Sequence, residues 1–79
     1  MEREINITRA QDTDDYDVYT VTVDDKMDCV ITIRYTSTGS DAEFVWFDNR
    51  GDEDYTTKIS LESRSLGEAL RYYFKGYDK

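Results

Sequence analysis

Three Asp-rich segments carry nearly all of the charge in this 79-residue chain. They span residues 11–17, 24–28 and 48–54, and they hold eleven of the 18 acidic residues but only two of the ten basic ones. Their charge of −9 is larger than the net charge of −8 for the whole chain. Carboxylates grouped in this way can bind a hard cation, transfer protons, or pair with Lys and Arg of a partner protein.

Proton transfer and covalent catalysis are the least favoured of these chemistries. The chain has no His, and its carboxylates lie in segments that should be solvated. Cys29 lies in an alternating apolar segment without a His to activate it, so we interpret it as a small buried hydrophobe. No glycine-rich phosphate loop is present. We therefore expect no enzyme, no catalytic residue and no cofactor.

The first acidic segment superficially resembles a calcium-binding loop. An EF-hand loop needs an oxygen ligand at position 5, Gly at position 6 and Glu at position 12. Counted from Asp12, these positions hold Tyr16, Asp17 and Val23, so the pattern fails. We expect no dedicated metal site. Weak binding of divalent cations is kept as an alternative function.

Composition describes a small folded domain with an acidic surface. Its length predicts a single domain, 1–79, and its 38% apolar content with eleven aromatic residues is enough for a core. A lone Cys excludes an internal disulfide and favours a reducing, cytoplasmic location. No apolar stretch has the length of a signal or membrane segment. Negative charge disfavours direct contact with nucleic acid or membrane and favours a basic protein surface.

The residues before position 62 alternate with a period of two, which predicts β-strands. Five strands are expected: roughly residues 3–10, 19–23, 29–36, 44–47 and 55–61. The links between them are short and rich in Asp, Gly and Ser, which favours an antiparallel meander of about five strands.

The last segment changes to a helical period. Ser65 and Glu68 fit a capping box, with Ser65 as the N-cap. Apolar side chains then recur on one helical face at positions 66, 70, 73, 74 and 77. The predicted fold is α+β, with one C-terminal helix packed on one face of the sheet.

One helix leaves the second face of such a sheet uncovered. That face should carry Val18, Thr20, Val30, Thr32 and Arg34. The fourth strand places Phe44 and Trp46 on one face and Val45 and Phe47 on the other, and the pattern does not decide which pair faces the helix. A homodimer or the N-terminal strand could close the uncovered face.

The meander also predicts where the acidic segments lie. Alternate turns fall at the same end of the sheet, so 24–28 and 48–54 should share one end. The 12–17 cluster should lie at the other end, or along an edge if its loop folds back. Asp is also common in turns because its side chain accepts hydrogen bonds from nearby backbone N–H groups. The alternative that these acids serve only turn formation and solubility therefore stays open. The candidate partner-binding residues are Asp12, Asp14, Asp15, Asp17, Asp24, Asp25, Asp28, Trp46, Asp48, Asp52, Glu53 and Asp54.

Small size, strong acidity and Asp-rich turns on a short sheet with one helix resemble the small phage-encoded inhibitor proteins, the DNA-mimic and anti-CRISPR group. The resemblance implies a non-enzymatic inhibitor in the host cytoplasm. Its partner would be a basic nucleic-acid-handling protein, such as a CRISPR-Cas or other defence nuclease complex, held by charges that imitate nucleic acid. The alternative is a small dimeric adaptor or regulatory protein that uses its uncovered sheet face, with acidity serving solubility.

Overall fold

The chain forms one five-stranded antiparallel sheet followed by a helix. The computed structural model describes residues 3–62 and 66–77, without the side chains of residues 76 and 77. Strand order in the sheet follows the chain, so the sheet is a meander. The predicted α+β fold is confirmed. The elements are β1 (Ile5–Asp12), β2 (Tyr16–Val23), β3 (Lys26–Tyr35), β4 (Ser40–Phe47), β5 (Glu53–Leu61) and α1 (Leu66–Tyr77).

The strands extend into the acidic segments further than the sequence pattern predicts. Between β1 and β2, pairing continues as far as Asp12 opposite Asp17, and only the three residues between Asp12 and Tyr16 separate the two strands. Thr13 closes this turn, since its hydroxyl donates to the Tyr16 carbonyl at 2.7 Å and accepts from the Tyr16 N–H at 3.0 Å. A compact turn held by its own side chain lets the ladder run up to both sides of it.

The turn between β2 and β3 contains only two residues, Asp24 and Asp25. Both have positive φ angles, 53° and 66°, and Val23 pairs directly with Lys26. Positive φ at both central positions defines the hairpin turn whose twist matches that of the flanking strands. Asp tolerates this conformation better than most residues, although less well than Asn or Gly.

Alternation along the strands gives the sheet one buried face. The core lies between this face and α1, and no residue of the opposite face is fully buried in the described part of the chain. The core consists of Tyr19, Val21, Cys29, Ile31, Ile33, Ala42, Phe44 and Leu61 from the sheet, with Ala69 and Tyr73 from the helix. The expected uncovered face, with Val18, Thr20, Val30, Thr32 and Arg34, is the one observed.

The helix buries a slightly different stripe from the one predicted. Phe74 was expected on the buried face, but it is 37% exposed, and Ala69 is fully buried instead. The small side chain of Ala69 permits close approach of the helix, while Phe74 packs edge-on against Tyr73 with ring centroids 5.2 Å apart. The expected N-cap, Ser65, lies outside the described residues. Glu68 accepts a hydrogen bond from the backbone N–H of Glu62 at 3.2 Å.

Gly39 lies in the turn between β3 and β4 and lets this turn pack closely against the end of β5. A Cβ at this position would lie 2.3 Å from the carbonyl oxygen of Leu61, a backbone atom that cannot move aside alone. Gly51, in the turn between β4 and β5, also has a positive φ, 86°, but faces open space. At Gly39 a side chain would not fit, whereas at Gly51 only the backbone conformation favours glycine.

Replacing Gly39 with Ala should be among the most destabilising single changes in this sheet. We expect Gly39→Ala to lower the free energy of unfolding by about 3 kcal/mol or more, because the new methyl overlaps backbone. Gly51→Ala should cost only about 1 kcal/mol, the penalty of its positive φ. Urea denaturation of both variants measures the difference, and equal losses would contradict the close approach at Gly39.

The β2–β3 turn should become more stable when its residues match its geometry. We expect the double change Asp24→Asn and Asp25→Gly to raise the free energy of unfolding by about 1 kcal/mol, because Asn-Gly is the preferred pair for this turn. Thermal melting checks the change against Asp14→Asn, a neutral substitution at an exposed position of the β1–β2 turn. A lower melting temperature for the double variant would show that the carboxylates themselves stabilise the turn.

Candidate acidic binding site

Two of the three acidic segments meet at one end of the sheet, as the meander predicts. The turns at 24–28 and 48–54 both follow strands that end on the same side, and together they line a groove of about 530 Å³. We call residues 24–28 and 48–54 the acidic end. The residues lining the groove are Arg3, Val23, Asp24, Lys26, Met27, Asp28, Phe47, Asp48 and Asn49.

The groove combines apolar side chains with carboxylates. Met27 and Phe47 supply apolar surface from neighbouring strands. Asp24 and Asp48 border it from the two turns. Arg3 and Lys26 also line the groove, so its three carboxylates exceed its bases by one. A partner's Lys or Arg could pack its aliphatic stem on the apolar surface while its cationic head pairs with carboxylates.

Asp48 organises the β4–β5 turn from within. Its Oδ1 accepts hydrogen bonds from the backbone N–H of Arg50 at 2.8 Å and of Asp52 at 3.0 Å. Its Oδ2 lies 3.8 Å from the Arg50 guanidinium, whose side chain is largely exposed. The hydrogen bonds fix the turn, whereas so exposed an ion pair neutralises little of the local charge.

Asp28 ties the acidic end to the helix. It lies at a bulge where β3 has one residue more than β2, and it accepts a hydrogen bond from the Tyr73 hydroxyl at 2.5 Å. Tyr73 itself is fully buried. Asp28 is half-buried and also lines the groove.

Five further carboxylates of the acidic end are exposed. They lie in or beside the two turns, where no core packing restrains them, and they are Asp24, Asp25, Asp52, Glu53 and Asp54. The helix runs back along the sheet, so that Tyr73, near its C-terminus, reaches Asp28. Lys75 lies in the last turn of the helix, where its charge offsets the negative end of the helix dipole.

The third acidic segment lies at the opposite end and is weaker. Asp14 and Asp15 are exposed in its turn. Asp12 is also exposed, but its carboxylate lies 3.3 Å from the Arg9 guanidinium. These residues form a separate, smaller negative patch, and the structure does not bring them near the groove.

Asp17 lies inside the protein. It is only 6% exposed, and its Oδ2 accepts a hydrogen bond from the Tyr35 hydroxyl. Its Oδ1 is buried and has no hydrogen-bond partner among the described residues. Asp17 therefore holds two strands together and does not present its charge to a partner as its neighbours do. Its position on the inward side follows from its pairing with Asp12 and Ile33.

Trp46 faces the helix. Its ring stacks on Tyr73 with centroids 5.4 Å apart and an interplanar angle of 6°, and its Nε1 donates to Thr57 at 3.2 Å. The structure thus decides the open question about β4, because Phe44 and Trp46 point toward the helix while Val45 and Phe47 point away. Phe47, not Trp46, contributes aromatic surface to the groove.

Cys29 is fully buried, in agreement with its interpretation as a small hydrophobe. Burial, and secondarily the charge of Asp28, raise the pKa of its thiol to about 12, so it remains a neutral thiol at physiological pH. Within residues 3–62 and 66–77, no group of three or more His, Cys, Asp or Glu is arranged to hold a metal ion. The same residues contain no helix long and apolar enough to cross a membrane.

The sequence pattern missed three residues that line or bond the acidic segments. It places Met27 in an acidic turn, but β3 begins at Lys26 and pairs Met27 with Thr22. The partners of the acids, Tyr35 and Tyr73, come from distant positions that no local spacing reveals. The excess of Tyr in the chain was the available signal, since buried phenols need acceptors.

No family model, curated protein or solved structure matches the chain. The geometry and charge of the acidic end are therefore the basis for the function proposed below.

The Asp17–Tyr35 bond should be visible in the alkaline titration. The hydrogen bond to Asp17, with burial second, raises the pKa of Tyr35 to about 12. In the folded state Tyr35 therefore keeps the phenolic proton that it loses in the unfolded chain near the ordinary tyrosine pKa of 10.0. Stability from this bond is fully present below about pH 10 and is lost as the pH rises toward 12.

We expect Asp17→Asn to return the titration of Tyr35 toward pH 10, because the charged acceptor has gone. Residue-resolved NMR of the Tyr35 ring measures the titration, and Asp12→Asn is the matched control because its carboxylate is exposed. If Asp17→Asn leaves the titration unchanged while the fold persists, Asp17 is not the group that holds the Tyr35 proton.

Proposed function

We propose that this protein is a non-enzymatic inhibitor that binds a basic nucleic-acid-handling protein through its acidic end. A defence nuclease complex, such as a CRISPR-Cas complex, is the partner class suggested by the resemblance to phage-encoded inhibitors. The carboxylates would occupy Lys and Arg residues that otherwise hold phosphates. The protein would then act by occupying a surface, and it would need no reaction of its own.

The convergence of two acidic turns on one groove is the observation that carries this proposal. Residues 24–28 and 48–54 hold seven acids and two bases, a charge of −5 at one end of a small domain. Acidity serving only solubility does not require that the charge be gathered at one place. A concentrated field of one sign accelerates encounter with a basic partner and makes binding depend on salt.

Rigidity is the second support. Asp48 is held by two backbone N–H groups, Asp28 by the buried Tyr73, and Asp24 accepts from the backbone N–H of Glu4 at 3.1 Å. Carboxylates fixed in this way lose little conformational freedom on binding. The apolar surface of Met27 and Phe47 would add contact with the stem of an inserted Lys or Arg.

Reversing charge at the acidic end should abolish binding. We expect the triple variant Asp52→Lys, Glu53→Lys and Asp54→Lys to reduce capture of basic proteins about tenfold or more, since all three side chains are exposed and contribute field rather than core packing. The measurement is affinity capture from a bacterial lysate with identification by mass spectrometry. Captured proteins should be nucleic-acid-binding, and double-stranded DNA should displace them.

The matched control reverses the same number of charges at the opposite end, with Asp12→Lys, Asp14→Lys and Asp15→Lys. It should retain capture, because these residues lie at the other end of the sheet from the acidic end. Capture by the wild type should also weaken as salt rises from about 0.05 to about 0.5 M, as screening predicts. Equal loss of capture in both triple variants would show that only net charge matters. Normal capture by the variant at residues 52–54 would refute the acidic-end proposal.

A further inference from the structure

We propose that the uncovered face of the sheet is a self-association surface that packs against the same face of a second copy of this chain. We call this surface the open face; it comprises the outward residues of the five strands that lie outside the acidic end. The inference is independent of the acidic end, which lies beyond the edge of this face. It answers a physical problem that the fold leaves, namely five strands with cover on one side only.

The centre of the open face is an uncharged row that crosses the whole sheet. Register places one residue from each strand side by side in this row, and they are Thr8, Thr20, Val30, Val45 and Thr56. Val18 lies in the next row along β2, beside Thr32. Val18, Val30 and Val45 are each half-buried. β-branched side chains in flat rows are the surfaces that interdigitate when two sheets stack about 10 Å apart.

The charges on the open face compensate each other. Arg34 pairs across the strands with Asp41, and Lys58 pairs with Glu43, whose carboxylate lies 3.7 Å from the Lys58 ammonium. The body of this face thus carries two bases and two acids in a chain whose net charge is −8. Two copies can approach through it without the repulsion that any contact between acidic ends would meet, and the two signs permit complementary pairs between copies.

The available area fits a modest dimer. Strands of eight to ten residues at about 3.3 Å per residue, spaced about 4.8 Å apart, give a face of roughly 24 by 26 Å. Two such faces bury on the order of 1,200 Å², which is the lower limit for stable protein interfaces. The dimer should therefore form reversibly, and it should leave both acidic ends free to bind a partner.

Sedimentation equilibrium on the wild-type chain tests the proposal, over about 1 to 500 µM protein. We expect the mass to rise from the 9.3 kDa of one chain toward twice that value. Val45→Lys should weaken association about tenfold or more, because it places an unpaired charge in the centre of the interface. Ser37→Lys adds the same charge in the exposed β3–β4 turn and should leave association unchanged.

Salt gives a second criterion that separates this proposal from the previous one. Self-association of two copies with net negative charge should strengthen with salt, whereas capture of a basic partner should weaken. Methyl spectra of the wild type provide a test that needs no variant. On dilution, the methyl signals of Val18, Val30 and Val45 should shift, while those of the buried Val21 and Ile31 should not.

A chain that stays monomeric over the whole range overturns the proposal. So does a dimer that Val45→Lys leaves intact or whose dilution shifts lie on the helix, because either result places the contact elsewhere. A monomer whose open-face methyl signals shift only when another protein is added would assign this face to a different partner and would equally exclude the second copy.

Discussion

The packing of the helix residue Tyr73 against the sheet is the interaction on which this structure depends. Its ring stacks on Trp46, its hydroxyl bonds Asp28, and no part of its side chain is exposed. This contact decides which face of the sheet becomes the core, because it commits the inward residues of β3 and β4 to the helix. It also decides, by exclusion, that Phe47 and Val45 face outward. The acidic end and the open face are both consequences of that choice.

Some acidic residues stabilise the fold and others present their charge to solvent, and their positions distinguish the two groups. Asp17 is buried and accepts from Tyr35 through Oδ2, and Asp48 accepts two backbone N–H groups of its own turn through Oδ1, so one oxygen of each is occupied by the fold. Asp25 and the run from Asp52 to Asp54 are exposed and make few local bonds. A turn-forming role therefore explains part of the acidity, and the exposed remainder gathers where the geometry of a meander brings alternate turns together. That remainder is what a basic partner could meet.

Most of the architecture could be predicted because it follows from periodicity. Alternation fixed the five strands and the membership of their two faces, and short turns fixed their order. The extent of the strands could not be predicted, since Asp12, Asp17 and Met27 pair in the ladder despite their turn-like sequence. Nor could the orientation of β4, because Phe44 and Phe47 are equally apolar and only the docked helix distinguishes them. The pairing of Tyr35 with Asp17 joins residues 18 positions apart, which no local pattern encodes.

We propose that the two turns of the acidic end act as one binding surface for cationic side chains. Backbone amide spectra during titration with an oligo-arginine peptide measure whether they do. Signals from residues 24–28 and 48–54 should shift together along one binding curve, and the curve should weaken with salt. Signals from the β1–β2 turn should move less and with weaker affinity. Equal shifts at both ends, or independent curves for the two turns, would contradict the claim.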